Sequence, residues 1–151
     1  MATLNIGAKS SDPRERDLSN FAPFGFWIVT KWFASREGFI IGLMLEDREQ
    51  QMEAFGSTGF EAKKFAKFAK REFIWWAGQK FKFRGPEHIA LIERGIRACF
   101  EQNPELMKLL LATEGLELIH DLGHPEKPNT SLPAKEFCAI LTAIREENLK
   151  K

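Results

Sequence analysis

Between residues 86 and 115 the chain carries its strongest folding instruction. Ile89, Ile92, Ile96 and Phe100 recur at the spacing of one face of an α-helix, and Pro86, whose missing N–H costs nothing in a first turn, opens the run. The pattern breaks at Gln102-Asn103. Asn103 and Pro104 then form an N-cap and first-turn signal for another helix, with Leu106, Leu109 and Leu110 facing inward until Gly115 stops it. Two amphipathic helices joined without a linker must turn a sharp corner and bury their apolar faces against other elements. A further helix is expected from about Ala134 to Glu147, burying Phe137, Ile140, Leu141 and Ile144 with Arg145 at its flank.

The N-terminal half reads differently. Two apolar runs, Phe24 to Phe33 and Phe39 to Met44, are rich in β-branched and aromatic residues and are separated by Ala34-Ser-Arg-Glu-Gly38. This pattern suits a hairpin with Gly38 at the turn. Helical periods return from Leu45, over residues 45 to 55 and then 61 to 71. The stretch from Phe73 to Arg84 ends in alternating apolar and basic residues, as in a half-exposed strand or extended loop. The expected fold is therefore α+β, mainly α with a small N-terminal β element. The first sixteen residues, polar and aperiodic, read as a flexible lead-in, and residues 17 to 151 as one compact domain, a usual size for a single core.

Composition excludes more than it identifies. Apolar residues make up 44% of the chain and charged residues 28%, which is ordinary globular usage and argues against disorder. The apolar stretch Phe39 to Leu45 is far too short to span a bilayer, and the first sixteen residues lack the apolar core of a signal peptide. A cytoplasmic protein without membrane contact is expected. Cys99 and Cys138 lie in apolar helical patterns and read as buried thiols. The three His residues are scattered without C-x-x-C or H-x-x-x-H spacing, so no metal site or cofactor is expected. GxGxxG, Walker and GxSxG motifs are all missing, which removes the usual sequence support for dinucleotide binding, triphosphate hydrolysis and serine esterase chemistry.

Two charged patterns stand out. Glu46, Glu49, Gln50 and Glu53 fall at i, i+3, i+4 and i+7, so all four share one helix face. Such a stripe is either a solvated surface or a carboxylate cluster lining a cleft, with repulsion raising at least one pKa. From Glu61 to Arg84, eight Lys or Arg stand against two Glu, a local charge of +6 in a chain whose total is +1. Interleaved with aromatics, this stretch is either a lysine-rich solvent face or a surface that holds phosphates and stacks a base. The polar loop from Asp121 to Pro133, entered through His120, is a further place where a site can lie.

Three blocks carry a resemblance to a known family: Ser19-Asn20-Phe21, Glu61-Ala62-Lys63-Lys64, and Ala98-Cys99-Phe100-Glu101-Gln102-Asn103, followed by leucines and Ala112-Thr113. The chain resembles the NADAR family, the YbiA-like N-glycosidases, over most of residues 17 to 147. Departures lie at Cys99, where Lys is usual, at Leu122-Gly123 in place of Trp-Gly, and at Phe137-Cys138 in place of Leu-Gly. The resemblance implies a YbiA-like domain that cleaves the N-glycosidic bond of a phosphorylated or ADP-linked ribose. Glu46 best matches the family's glutamate, with Gln50 at i+4 and Glu53 where Lys is expected; Glu49 is the second choice and Asp121 a loop contribution. Ser19, Asn20 and Phe21 are then expected at the ribose or base, Lys63, Lys64 and Arg84 at phosphates, and Trp76 or Trp75 stacked on the base. Three functions follow from the resemblance: removal of ADP-ribose from guanine in nucleic acid, hydrolysis of ribosylamino-pyrimidine phosphates of riboflavin synthesis, or binding of ADP-ribose-like ligands without catalysis.

Overall fold

The computed structural model describes residues 2–151 as an α+β domain of helices and three separate two-stranded sheets. Strand β1 (Thr3–Asn5) pairs in parallel with β6 (Glu117–Ile119), Leu4 opposite Leu118. Helix α1 (Pro13–Asp17) follows, capped by Asp12. Strands β2 (Phe26–Ile28) and β3 (Lys31–Phe33) form a hairpin. Helices α2 (Arg36–Leu43), α3 (Arg48–Phe55) and α4 (Gly59–Lys63) come next, the last running into a 3-10 turn at Lys64–Phe68. A second hairpin, β4 (Phe73–Trp76) with β5 (Gln79–Lys82), leads to α5 (Pro86–Gln102), α6 (Pro104–Leu111), β6 and α7 (Ala134–Leu149). No helix among the described residues is long and apolar enough to cross a membrane.

The corner between α5 and α6 follows the proline pattern, and its polar residues act as fasteners. Gln102 closes onto β2, its amide accepting from the Trp27 N–H at 2.7 Å and donating to the Trp27 carbonyl at 2.8 Å. Asn103 Nδ2 donates to the carbonyls of Gly25 and Cys99. In the same way Arg145 of α7 donates to the carbonyls of Thr113 and Leu116, satisfying backbone groups freed where α6 ends. Both cysteines are free and buried.

The N-terminal half departs from its sequence pattern in four places. The hairpin lies wholly inside the first apolar run, with Trp27 opposite Trp32, and the second run is helix α2. Ser35 starts that helix, its Oγ accepting from the Gly38 N–H. Gly38 and Gly42, one turn apart, let α3 approach: a Cβ on Gly38 would sit 2.3 Å from the Ala54 carbonyl oxygen, and one on Gly42 2.4 Å from the Phe55 ring. Gly38 thus serves close packing and turns nothing. A short helix buried on nearly every side carries no alternation, and its uniformly apolar run mimics a strand. The helix expected over 45 to 55 begins only at Arg48, leaving Glu46 outside it. The helix expected over 61 to 71 divides into α4 and the 3-10 turn. The lead-in expected over 1 to 16 holds β1 and most of α1, and Leu4 and Ile6 are buried in the core.

At the centre Phe33 meets Phe39 and Phe55 edge-on at 4.8 and 4.7 Å, favourable aromatic geometry. Beside this cluster Arg36 is fully buried. Its guanidinium donates to the carbonyls of Leu18, Asp17 and Ser19 at 2.9, 2.9 and 2.8 Å and lies 5.0 Å from the centre of the Phe100 ring. Burial lowers its pKa from the usual arginine value, and no carboxylate among the described residues forms an ion pair with it. An Arg36→Met variant leaves the Asp17 and Leu18 carbonyls unsatisfied at roughly 1–3 kcal/mol each, while the Ser19 carbonyl keeps the Ala22 N–H. Urea unfolding should show a loss of about 3 kcal/mol or more. Gly38→Ala should cost about 2 kcal/mol in the same assay despite the roughly 1 kcal/mol gain in helix propensity, because the atoms it would meet, the Ala54 and Ser57 carbonyl oxygens, are backbone.

Candidate functional site

The three bonds from Arg36 draw residues 17 to 19 against the start of α2. Ser19 Oγ then accepts from the Phe21 N–H, and the Asn20 carbonyl accepts from the Glu37 N–H at 3.0 Å. Asn20 and Glu37 are therefore neighbours although seventeen positions separate them. Both line a cavity of about 480 Å³, together with Ser19, Phe21, Phe60 and Lys63. The opposite wall comes from residues 7 to 9, from His120 and Phe137, and from the loop through Leu132. This volume lies in the usual range for small-molecule sites.

Within the cavity Glu37 carries the strongest electrostatic signal. Burial strips water from its carboxyl and pushes its pKa up to about 7, against the opposing pull of Lys63 and Arg36. Beside it Asn20 Oδ1 is buried without a hydrogen-bond partner, an acceptor free to receive a ligand's donor. Lys63 holds its ammonium 5.6 Å from the centre of the Phe21 ring, and Phe60 meets that ring edge-on at 5.0 Å. The site thus joins a carboxyl that titrates near neutrality, an unused acceptor, a cation and two aromatic rings. Such a set suits acid–base chemistry on a polar, anionic ligand that carries a ring.

Of the residues singled out from sequence, Ser19, Asn20, Phe21 and Lys63 come together in this cavity, and the others lie elsewhere. Glu46 is exposed and paired with Lys70 at 2.7 Å, whose hydrogen bond lowers its pKa. Glu49 is exposed in the first turn of α3, and the Gln50 N–H is taken by the Asp47 cap. Lys64 pairs with Glu61 at the surface. Trp76 packs on Phe33 and Phe39 in the aromatic cluster. Asp121 is exposed beside the cavity wall, its carboxylate accepting from the Gly123 N–H.

Arg84 supports the site from outside. It pairs with Glu136 and donates to the Ser131 carbonyl at 3.0 Å, and Arg71 donates to the Asn129 carbonyl at 2.9 Å, so two arginines fasten the wall loop. Both adopt left-handed backbone, φ 60° and 55°. The Arg84 N–H donates to Nδ1 of His88, a buried ring whose pKa burial pushes down to about 4. Glu37 and Phe60 escape a reading of the sequence alone. The available signal for Glu37 was Ser35 ahead of an apolar run, a helix start that places the glutamate in a first turn.

A family model described as Bacteriophage protein GP30.3 matches residues 14–146, and the chain belongs to that family. A protein of Enterobacteria phage T4, described as an uncharacterized 17.1 kDa protein in the Gp30-rIII intergenic region, is 29% identical over 134 residues, covering 85% of this chain and 88% of its own length. The NMR structure of the E. coli protein YbiA matches with a TM-score of 0.70, covering 99% of this chain and 86% of that one at 20% identity. The domain has a YbiA-like fold.

The position of Glu37 has a measurable effect on stability. Its folded pKa, about 7, lies above the ordinary carboxylate value, so the stability its protonated form provides is complete below about pH 4.5 and is lost as pH rises through 7. Glu37→Gln should therefore match wild type in urea unfolding at pH 4 and exceed it at pH 8, by up to about 3 kcal/mol.

Proposed function

We propose that this member of the bacteriophage protein GP30.3 family is an N-glycosidase of the NADAR type, hydrolysing the bond between a base and a phosphorylated or ADP-linked ribose. The observation that carries this reading is the carboxyl of Glu37 beside the unpartnered Asn20 Oδ1 in one cavity. Breaking a ribosyl C–N bond builds positive charge on the sugar. The Glu37 carboxylate stabilises that charge and takes a proton from the attacking water, as carboxylates do in other glycosidases. Asn20 Oδ1 accepts from a ribose hydroxyl, Lys63 binds phosphate, and Phe21 and Phe60 offer ring surfaces to the base.

ADP-ribose on guanine in nucleic acid is the substrate that accounts for most of the surface. Lys67, Lys80 and Lys82 are exposed outside the cavity, and no carboxylate among the described residues pairs with them. A mononucleotide held by Lys63 leaves these charges without a role, whereas a polynucleotide backbone uses them. Lys67 and Lys80 also lie 5.2 and 4.3 Å from the Phe68 and Phe73 rings.

Incubation with an ADP-ribosylated DNA oligonucleotide, followed by mass spectrometry, should show restored guanine and released ADP-ribose. Release of base from a ribosylamino-pyrimidine phosphate alone would move the substrate to the small-molecule class, and ADP-ribose binding without turnover of either would leave a binding module. Wild-type turnover should climb as pH rises through about 7 and Glu37 ionises. Glu37→Gln should lose at least about 100-fold in kcat with little change in KM. Glu46→Gln and Glu49→Gln should stay near wild type, since both residues lie outside the cavity; loss of turnover in either of these instead would return the catalytic role to α3 and its approach.

A further inference from the structure

We infer that His120 is a second catalytic residue, the general acid that hands a proton to the departing base. This inference rests on the glycosidase reading and completes it, because Glu37 supplies a base and nothing in that reading supplies an acid. His120 lines the same cavity as Glu37, and its Nδ1 lies 2.7 Å from the carbonyl oxygen of Ile6. A carbonyl only accepts, so Nδ1 carries a hydrogen whether the ring is neutral or charged. Nε2 is then the ring nitrogen left for a ligand, and no side chain or backbone group among the described residues hydrogen-bonds to it.

The ring is held as a proton donor needs to be. The Ile6 N–H donates to the Ile119 carbonyl at 2.8 Å, extending the β1–β6 pairing by one residue. Asn5 bonds Asp121 in both directions, at 3.0 and 2.8 Å, and so fixes the backbone on the far side of His120. Phe137 meets the imidazole edge-on at 5.9 Å. The N-terminal strand, whose short sequence looks dispensable, is what fixes this histidine.

The proton balance closes. The C1′–N bond breaks with its electron pair passing to the base nitrogen, which takes the proton from His120 Nε2. Water adds its oxygen to C1′ and gives a proton to Glu37. That proton returns to His120 through solvent, so the net change is one water consumed, giving a ribose hydroxyl and a base N–H. The other titratable groups lining the cavity are Lys9, Lys63 and His124, while α7 presents Phe137 and the residue after β1 presents the Ile6 carbonyl to the ring.

His120→Gln is the direct test, because an amide still donates to the Ile6 carbonyl but holds no exchangeable acid. On ADP-ribosylated DNA its kcat should fall by about 100-fold or more with KM within a few-fold. The rise through about 7 from Glu37 should remain in this variant. Thermal unfolding should match wild type. Imidazole ¹⁵N spectra of the wild-type protein should show Nδ1 protonated and the Nε2 resonance moving on addition of ADP-ribose. A variant with near wild-type kcat, or an Nε2-protonated neutral tautomer, overturns the assignment and leaves the Glu37 chemistry standing. Wild-type protein inert towards both the DNA and the ribosylamino-pyrimidine substrate overturns the glycosidase reading and this inference with it.

Discussion

The structure is organised around the guanidinium of Arg36, buried without an ion-pair carboxylate and bonded instead to three successive carbonyls. A buried charge is expensive unless its donors are satisfied. Here the three bonds hold residues 17 to 19 in the path that presents those carbonyls to the fork. That path delivers Asn20 to the first turn of α2 and sets its carbonyl on the Glu37 N–H. The same side chain lies against Phe100 of α5, so core packing and cavity geometry share one anchor.

Electrostatics places the cavity's two main groups in opposition to stability. Glu37 sits where burial disfavours its charge, and the cations that offset this, Lys63 and Arg36, do so only in part. Asn20 Oδ1 is likewise left without a partner. Unmet polar groups gathered in one cavity are the usual mark of a surface shaped for a ligand, maintained at some cost to the folded state. Outside the cavity Arg145, Gln102 and Asn103 all close backbone bonds, while Arg36 Nε and His88 Nε2 are buried without partners.

The blocks that carry the family resemblance divide accordingly. Ser19-Asn20-Phe21 and Lys63 reach the cavity, whereas Gln102-Asn103 hold β2. A recurring polar residue can therefore mark a fastener as readily as a ligand contact. Glu46 illustrates the hazard from the other side. Its i, i+3, i+4 partners suggest a functional face, but Asp47 caps the helix one residue later and leaves the glutamate in solvent with Lys70.

The sequence by itself determined what depends on local stereochemistry and period. Pro86 and Pro104 with their apolar spacing define α5 and α6, the alternation at the end of Phe73–Arg84 marks extended chain that the structure folds into a hairpin, and the start of α7 after Pro133 is equally local. Tertiary structure alone decided α2, where burial on nearly every side erases the periodicity that distinguishes helix from strand and where Gly38 and Gly42 matter only because α3 lies against them. It also decided the site. Glu37 becomes a cavity carboxyl because Arg36 draws a distant turn over it, and His120 acquires its fixed Nδ1–H from a strand 114 positions away. Contacts at such separations leave no periodic trace in the chain, because the energy that selects them exists only once both segments have been removed from water.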